Sequence, residues 1–156
     1  MNHKEYMDVA FEEAFIGMRN NQGGPFGAVI VLHDNIIGRA HNMVTQSNDP
    51  TAHAEVMAIR NACKNLNSFK LDQAVLYTSC EPCPMCLAAI YWAGIKTLYY
   101  CADKADAHRI GFDDNFIYDE FKLPIEQRSI ACKHLDSPLR EPLFHEWENK
   151  TDKTPY

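Results

Sequence analysis

What this sequence lacks narrows its range first. No run of 18 apolar residues occurs anywhere in the 156, so no membrane-spanning helix is expected. No run of Lys and Arg occurs either, and 21 acidic residues outnumber 15 basic ones, for a net charge of −6. Phosphate contacts dominate nucleic-acid affinity and call for a positive footprint, so this balance weighs against a tRNA or DNA partner. Met1–Ala10 carries charges and no apolar signal core, which leads us to expect a cytoplasmic protein. The six cysteines do not form a spread-out disulfide framework, since three crowd into Cys80, Cys83 and Cys86. Internal repeats and composition breaks are absent as well. One domain over residues 1–156, with apolar residues at 46% to fill a core, is therefore expected.

What the sequence does have is a constellation split over two stretches, Asn48–Glu55 and Ser79–Cys86. A catalytic zinc ion takes neutral imidazole or thiolate donors and keeps one position open for water. His53, Cys83 and Cys86 supply such a donor set. Pro84 follows Cys83, and proline favours the first position of a helix. Cys83 is thus expected to cap a helix with Cys86 in its first turn, where the helix dipole favours thiolates. Asp49 and Pro50 offer the same cap-and-proline start for a helix carrying His53 and Glu55. His53 and Glu55 would diverge within a helix but converge beyond its mouth. Glu55 is read as the proton carrier and not as a ligand. A rival structural site would recruit Cys80 as fourth ligand. An iron–sulfur run would need its fourth cysteine at position 90, which is Ile90. Cys80 is therefore read as a buried residue at a strand end.

The element pattern is that of an α/β protein. Met7, Ala10, Phe11, Ala14, Phe15 and Met18 recur at helical spacing. Phe26–Leu32 is apolar on both faces, as a central strand is. His33-Asp34-Asn35 predicts a hairpin turn into a strand over Ile36–Asn42. A polar loop, Met43–Asn48, leads into the first zinc helix, whose apolar face is expected to run through Val56, Ile59, Cys63 and Leu66. A third strand spans Ala74–Ser79. The second zinc helix, Pro84–Ala93, is apolar almost all round and ends at Gly94. Burying such a helix on every side calls for a subunit interface. A fourth strand covers Thr97–Cys101. Ser129–His134 is a candidate fifth strand, and Leu139, Leu143, Phe144 and Trp147 a last helix. The expectation is a three-layer αβα architecture, a five-stranded mixed sheet with helices on both faces. The zinc site would lie at the carboxyl end of the third strand.

The pairing of H-x-E with a later P-C-x-x-C is the zinc deaminase signature. On those residues the chain resembles the cytidine deaminase-like superfamily, and within it the small bacterial guanine deaminases. Gly23–Val31, Ser47–Val56, Tyr77–Cys86, Ala89–Ala93 and the Gly111-Phe112-Asp113-Asp114 segment carry the likeness, which thins after Tyr118. The resemblance implies that Asn42 and the Ala54 N–H bind the purine and that Phe26 packs on its ring. It implies that the Glu81 carbonyl receives the departing ammonia, that the Cys83 N–H faces the attacking oxygen, and that Asp114 reads the guanine edge. It further implies one Zn²⁺ per subunit and a homodimer with exchanged C-terminal segments, in which Tyr156 or Trp92 closes the partner's site. Read from the residues alone, Asn42 also suits a turn, Phe26 a core, Asp113 and Asp114 an acidic turn or cap. The tail, residues 149–156, is polar. The activity implied is hydrolytic deamination of guanine to xanthine and ammonia. Guanosine, cytosine or tRNA adenosine as substrate, or a zinc scaffold without catalysis, are the alternatives.

Overall fold

A capping box opens the first helix: the Asn2 side chain accepts from the Glu5 N–H, and the Glu5 carboxylate accepts from the Asn2 N–H. In the computed structural model, which describes residues 1–156, this helix α1 spans His3–Arg19. It is followed by strands β1 (Gly27–Leu32) and β2 (Asn35–His41), helices α2 (Val44–Ser47) and α3 (Ala54–Leu66), strand β3 (Val75–Cys80), helix α4 (Pro84–Ala93) and strand β4 (Thr97–Ala102). Helices α5 (Lys104–Arg109), α6 (Asn115–Lys122) and α7 (Arg140–Asn149) complete the chain, with one 3₁₀ turn at Ile125–Gln127. The chain divides into two compact units, Met1–Tyr118 and Asp119–Tyr156.

The first unit holds a mixed sheet in the order β2-β1-β3-β4, antiparallel except for the β3–β4 pair. His33 and Asp34 both take positive φ, 48° and 63°, the two-residue hairpin turn whose twist suits the flanking strands. A register shift between Ile30 and Val31 places a bulge in the β1–β2 ladder. Alternate residues of β1 fill opposite cores. Ala28 and Ile30 join Leu76, Ala58, Ala62 and Ile90 on the α3–α4 face. Val29 and Val31 join Tyr6, Ala10 and Tyr77 on the α1 face. Helices on both faces and buried β1 match the expectation.

The sheet has four strands, not five. Residues 129–134 form no strand: Ser129 is held by the Glu120 carboxylate, its N–H and hydroxyl both at 2.8 Å, and Ile130 is 74% exposed. A strand exists only by pairing, and the sequence of a single strand does not name its partner.

The apolar face of α3 also differs from expectation. Ala54, Ala58 and Ala62 are fully buried, whereas Val56 and Ile59 are half-buried and Leu66 is exposed. Small residues let the helix lie close to the sheet. A Cβ added at Gly38 would stand 2.5 Å from the Ala58 carbonyl oxygen. Asn61 and Asn65, one turn apart, donate their side-chain amides to the Arg39 and Ile37 carbonyls at 3.0 and 2.8 Å. Those bonds occupy the outer edge of β2, a position otherwise open to strand addition. On the opposite face, the α1 carboxylate of Glu13 holds Arg39 Nε at 2.5 Å and His41 Nδ1 at 2.8 Å. The end of β2, just before Asn42, is thereby fixed from both sides.

Candidate metal and catalytic centre

Three chain segments meet at the carboxyl end of β3. Cys83 is the N-cap of α4, with extended backbone (φ −67°, ψ 168°), and its sulfur accepts the Cys86 N–H at 3.5 Å. Pro84 sits in the first turn, and Gly94 ends the helix at φ 78°, as the sequence predicts. His53 caps α3 with extended backbone and makes no side-chain capping bond, which leaves its ring to face outward from the helix end. The cap expected at Asp49 lies elsewhere. Asp49 Oδ1 accepts from both the N–H and hydroxyl of Thr51, at 2.8 and 2.7 Å, so it closes a tight turn instead. The polar loop before it contains the short helix α2, ended by left-handed Asn48.

His53 Nδ1 stands 3.4 Å from Cys83 Sγ and 3.4 Å from Cys86 Sγ. All three donor atoms lie within 4.8 Å of one another. Tetrahedral zinc, with bonds of about 2.0 Å to nitrogen and 2.3 Å to sulfur, separates its donors by about 3.5–3.8 Å. The cluster fits that ion in donor chemistry and in size. The hydrogen bond from Cys86, assisted by His53, draws the Cys83 thiol pKa down. The same bond, with burial, pushes Cys86 upward. Cys80 stands apart. Burial pushes its pKa up to about 11, and its thiol points at the Asp103 carbonyl at 3.6 Å.

Glu55, only 6% exposed, lies in the first turn of α3 beside this cluster. Burial raises its pKa. Its Oε1 accepts from the hydroxyl of Thr78, a fully buried β3 residue that also reaches the Cys80 carbonyl, both at 3.1 Å. Sequence reading passed over Thr78. Its signal was there, since a hydroxyl in step with Leu76 and Cys80 points into the α3–α4 layer.

Asn42 is buried, and its Oδ1 accepts from the Gly24 and Val44 N–H groups at 3.3 and 3.1 Å. That pairing leaves the two amide hydrogens for a ligand. Ala54 is fully buried at the first position of α3, where a backbone N–H has no intrahelical acceptor. Phe26 meets Phe112 edge to face, ring centres 4.9 Å apart. Phe112 therefore joins the wall that the sequence assigned to Phe26 alone. Burial raises the pKa of Asp114, and Lys104 opposes it. Trp92 and Tyr91 project outward from α4, 72% and 75% exposed. One chain alone does not bury α4 all round. Tyr156, 82% exposed, belongs to the second unit.

Residues 1–102 match the profile of the cytidine and deoxycytidylate deaminase zinc-binding region. The chain belongs to that deaminase family. It is 50% identical to the guanine deaminase of Bacillus subtilis (strain 168) over 156 residues, covering all of both chains. It superposes on the X-ray structure of guanine deaminase from Bacillus subtilis with a TM-score of 0.97, covering 100% of this chain and 99% of that one. A tRNA-specific adenosine deaminase of Agrobacterium fabrum is 44% identical over 97 residues, 62% of this chain and 63% of that protein. The guanine deaminase structure from Nitrosomonas europaea aligns with TM-score 0.68 at 29% identity, covering 72% of this chain and 65% of that one. The family's domain binds zinc, and no helix here is long and apolar enough to cross a membrane.

Proposed function

We propose that the protein hydrolyses guanine to xanthine and ammonia. The observation that carries this is the geometry of the centre: a donor triad that fits zinc with a buried carboxylate beside it. Identity to a guanine deaminase over the whole chain supports the choice of base, whereas the tRNA deaminase likeness stops at 62% of this chain. His53, Cys83 and Cys86 would hold one Zn²⁺ per subunit. The ion would supply a bound water acidic enough to lose its proton near neutral pH.

The chain's own groups do the rest. Asn42 and the Ala54 N–H fix the base, and Phe26 packs on its ring. Asp114 accepts from the ring N–H donors of guanine. Glu55 takes one proton from the water that adds to C2 and delivers it to the ring nitrogen, then takes the second from the hydroxyl now on C2 and delivers it to the amino group. The C2–N bond breaks, ammonia leaves past the Glu81 carbonyl, and the oxygen stays on C2 to give xanthine. The Cys83 N–H faces that oxygen.

The quaternary part of the proposal is a cytoplasmic homodimer with exchanged C-terminal segments. Tyr156 or Trp92 of one chain covers the other chain's site. An open groove of about 660 Å³ along Leu87, Tyr91 and Leu98 beside edge strand β4 supports a covering partner. In the second unit Leu135, Leu139, Leu143 and Phe144 are 91%, 73%, 66% and 67% exposed, apolar side chains that a partner would bury. Residues 1–156 act as one zinc-dependent deaminase domain.

Ammonia release across guanine, guanosine, cytosine, adenine and a tRNA anticodon stem, with zinc analysis, tests the reading. Turnover of guanine above all others is expected. Turnover of none, with zinc bound, makes the protein a scaffold.

A further inference from the structure

Lys104 and Tyr118 take no part in the chemistry above, yet both close on the two residues before the ligand Cys83. Lys104 Nζ lies 3.7 Å from the centre of the Tyr118 ring and 3.6 Å from Glu81 Oε1. The Tyr118 hydroxyl donates to the Pro82 carbonyl at 3.4 Å. The Glu81 N–H donates to the Ala102 carbonyl at 2.8 Å. Asp103 and Asp106 form a capping box that fixes the α5 start on which Lys104 sits. One turn of chain, Glu81-Pro82, is thus tied down at side chain, N–H and carbonyl.

We propose that Lys104 and Tyr118 are positioning residues, a stacked pair that holds the Glu81-Pro82 turn so that its backbone stays aimed at the reacting groups. Each tie alone is weak. The Lys104–Glu81 pair is about a third exposed on either side (31% and 30%), and exposed ion pairs contribute little. The cation over the ring adds more where water is excluded. Their value lies in convergence on two consecutive residues. That turn must hold the Glu81 carbonyl and the Cys83 N–H within a fraction of an ångström, and misplacement of about 1 Å costs up to about 100-fold in rate.

This inference rests on the proposed function for its kinetic arm only. The variants are Lys104→Met, Lys104→Arg and Tyr118→Phe, each with zinc content measured. Hydrogen–deuterium exchange of the segment from residue 80 to residue 87 is read against β1. With Lys104→Met, exchange of that segment is expected to rise about ten-fold and kcat for guanine to fall about ten-fold, with KM and zinc content within about two-fold. Tyr118→Phe is expected to raise exchange in the same segment, and Lys104→Arg to restore both readouts to within about three-fold. Unchanged exchange in both Lys104→Met and Tyr118→Phe overturns the brace. So does a rise shared equally by β1, or a kcat loss matched by zinc loss. A segment-limited rise in a protein inactive on guanine supports the brace while refuting the substrate.

Discussion

At the scale of single residues, the centre is organised around a proton. Glu55 is buried, and its carboxylate accepts from the Thr78 hydroxyl. Glu55→Gln is expected to keep zinc and lose at least about 100-fold in turnover; normal ammonia release would remove Glu55 from its role. Thr78 aims that carboxylate. Thr78→Val keeps the shape, removes the hydroxyl and leaves a buried oxygen without its donor, at a cost of about 1–3 kcal/mol. We expect kcat to fall while KM holds, with Thr78→Ser restoring it. Asp114→Ala is expected to raise KM for guanine with metal content unchanged; parallel zinc loss would make Asp114 structural. The cysteines were legible in sequence because Cys-Pro-x-Cys is a local start signal, and His53 because His-x-Glu precedes it in the signature. Lys104 and Tyr118 were not, because what they touch lies 23 and 36 residues away along the chain.

At the scale of elements, helices and strands were readable wherever a local rule set them. The His33–Asp34 turn and the Cys83 and Gly94 ends of α4 are such cases. Asp49 misled because a cap and a tight turn use the same side-chain acceptor, and only the following backbone decides between them. The buried face of α3 was legible in part: Ile59 and Cys63 pack against the core, but its alanine centre was missed because alanines carry little hydropathic contrast; their role is to be small opposite Gly38. Gly38→Ala is therefore expected to lower stability by about 1–3 kcal/mol through overpacking, seen as a drop in Tm. An unchanged Tm would show that α3 moves away freely. The candidate strand at 129–134 failed for the opposite reason: its apolar content is real, but strand formation depends on a partner outside the segment.

At the scale of the whole molecule, the exposed apolar surfaces of α4 and of the second unit ask what covers them. If C-terminal segments are exchanged, a chain lacking Tyr156 and a Glu55→Gln chain are each inactive alone but complement each other when co-expressed. The mixed dimer pairs an intact Glu55 with the other chain's Tyr156. Random assortment restores roughly a quarter of the sites, and no restoration would place Tyr156 elsewhere.

The sulfur of Cys83 caps the start of a helix and, in the proposed centre, the same atom would bind the metal. Oxygen in place of that sulfur is an excellent cap but a poor partner for the ion. A serine there would leave a well-formed protein with an empty, silent cleft, so architecture and reactivity in this chain part company at a single atom.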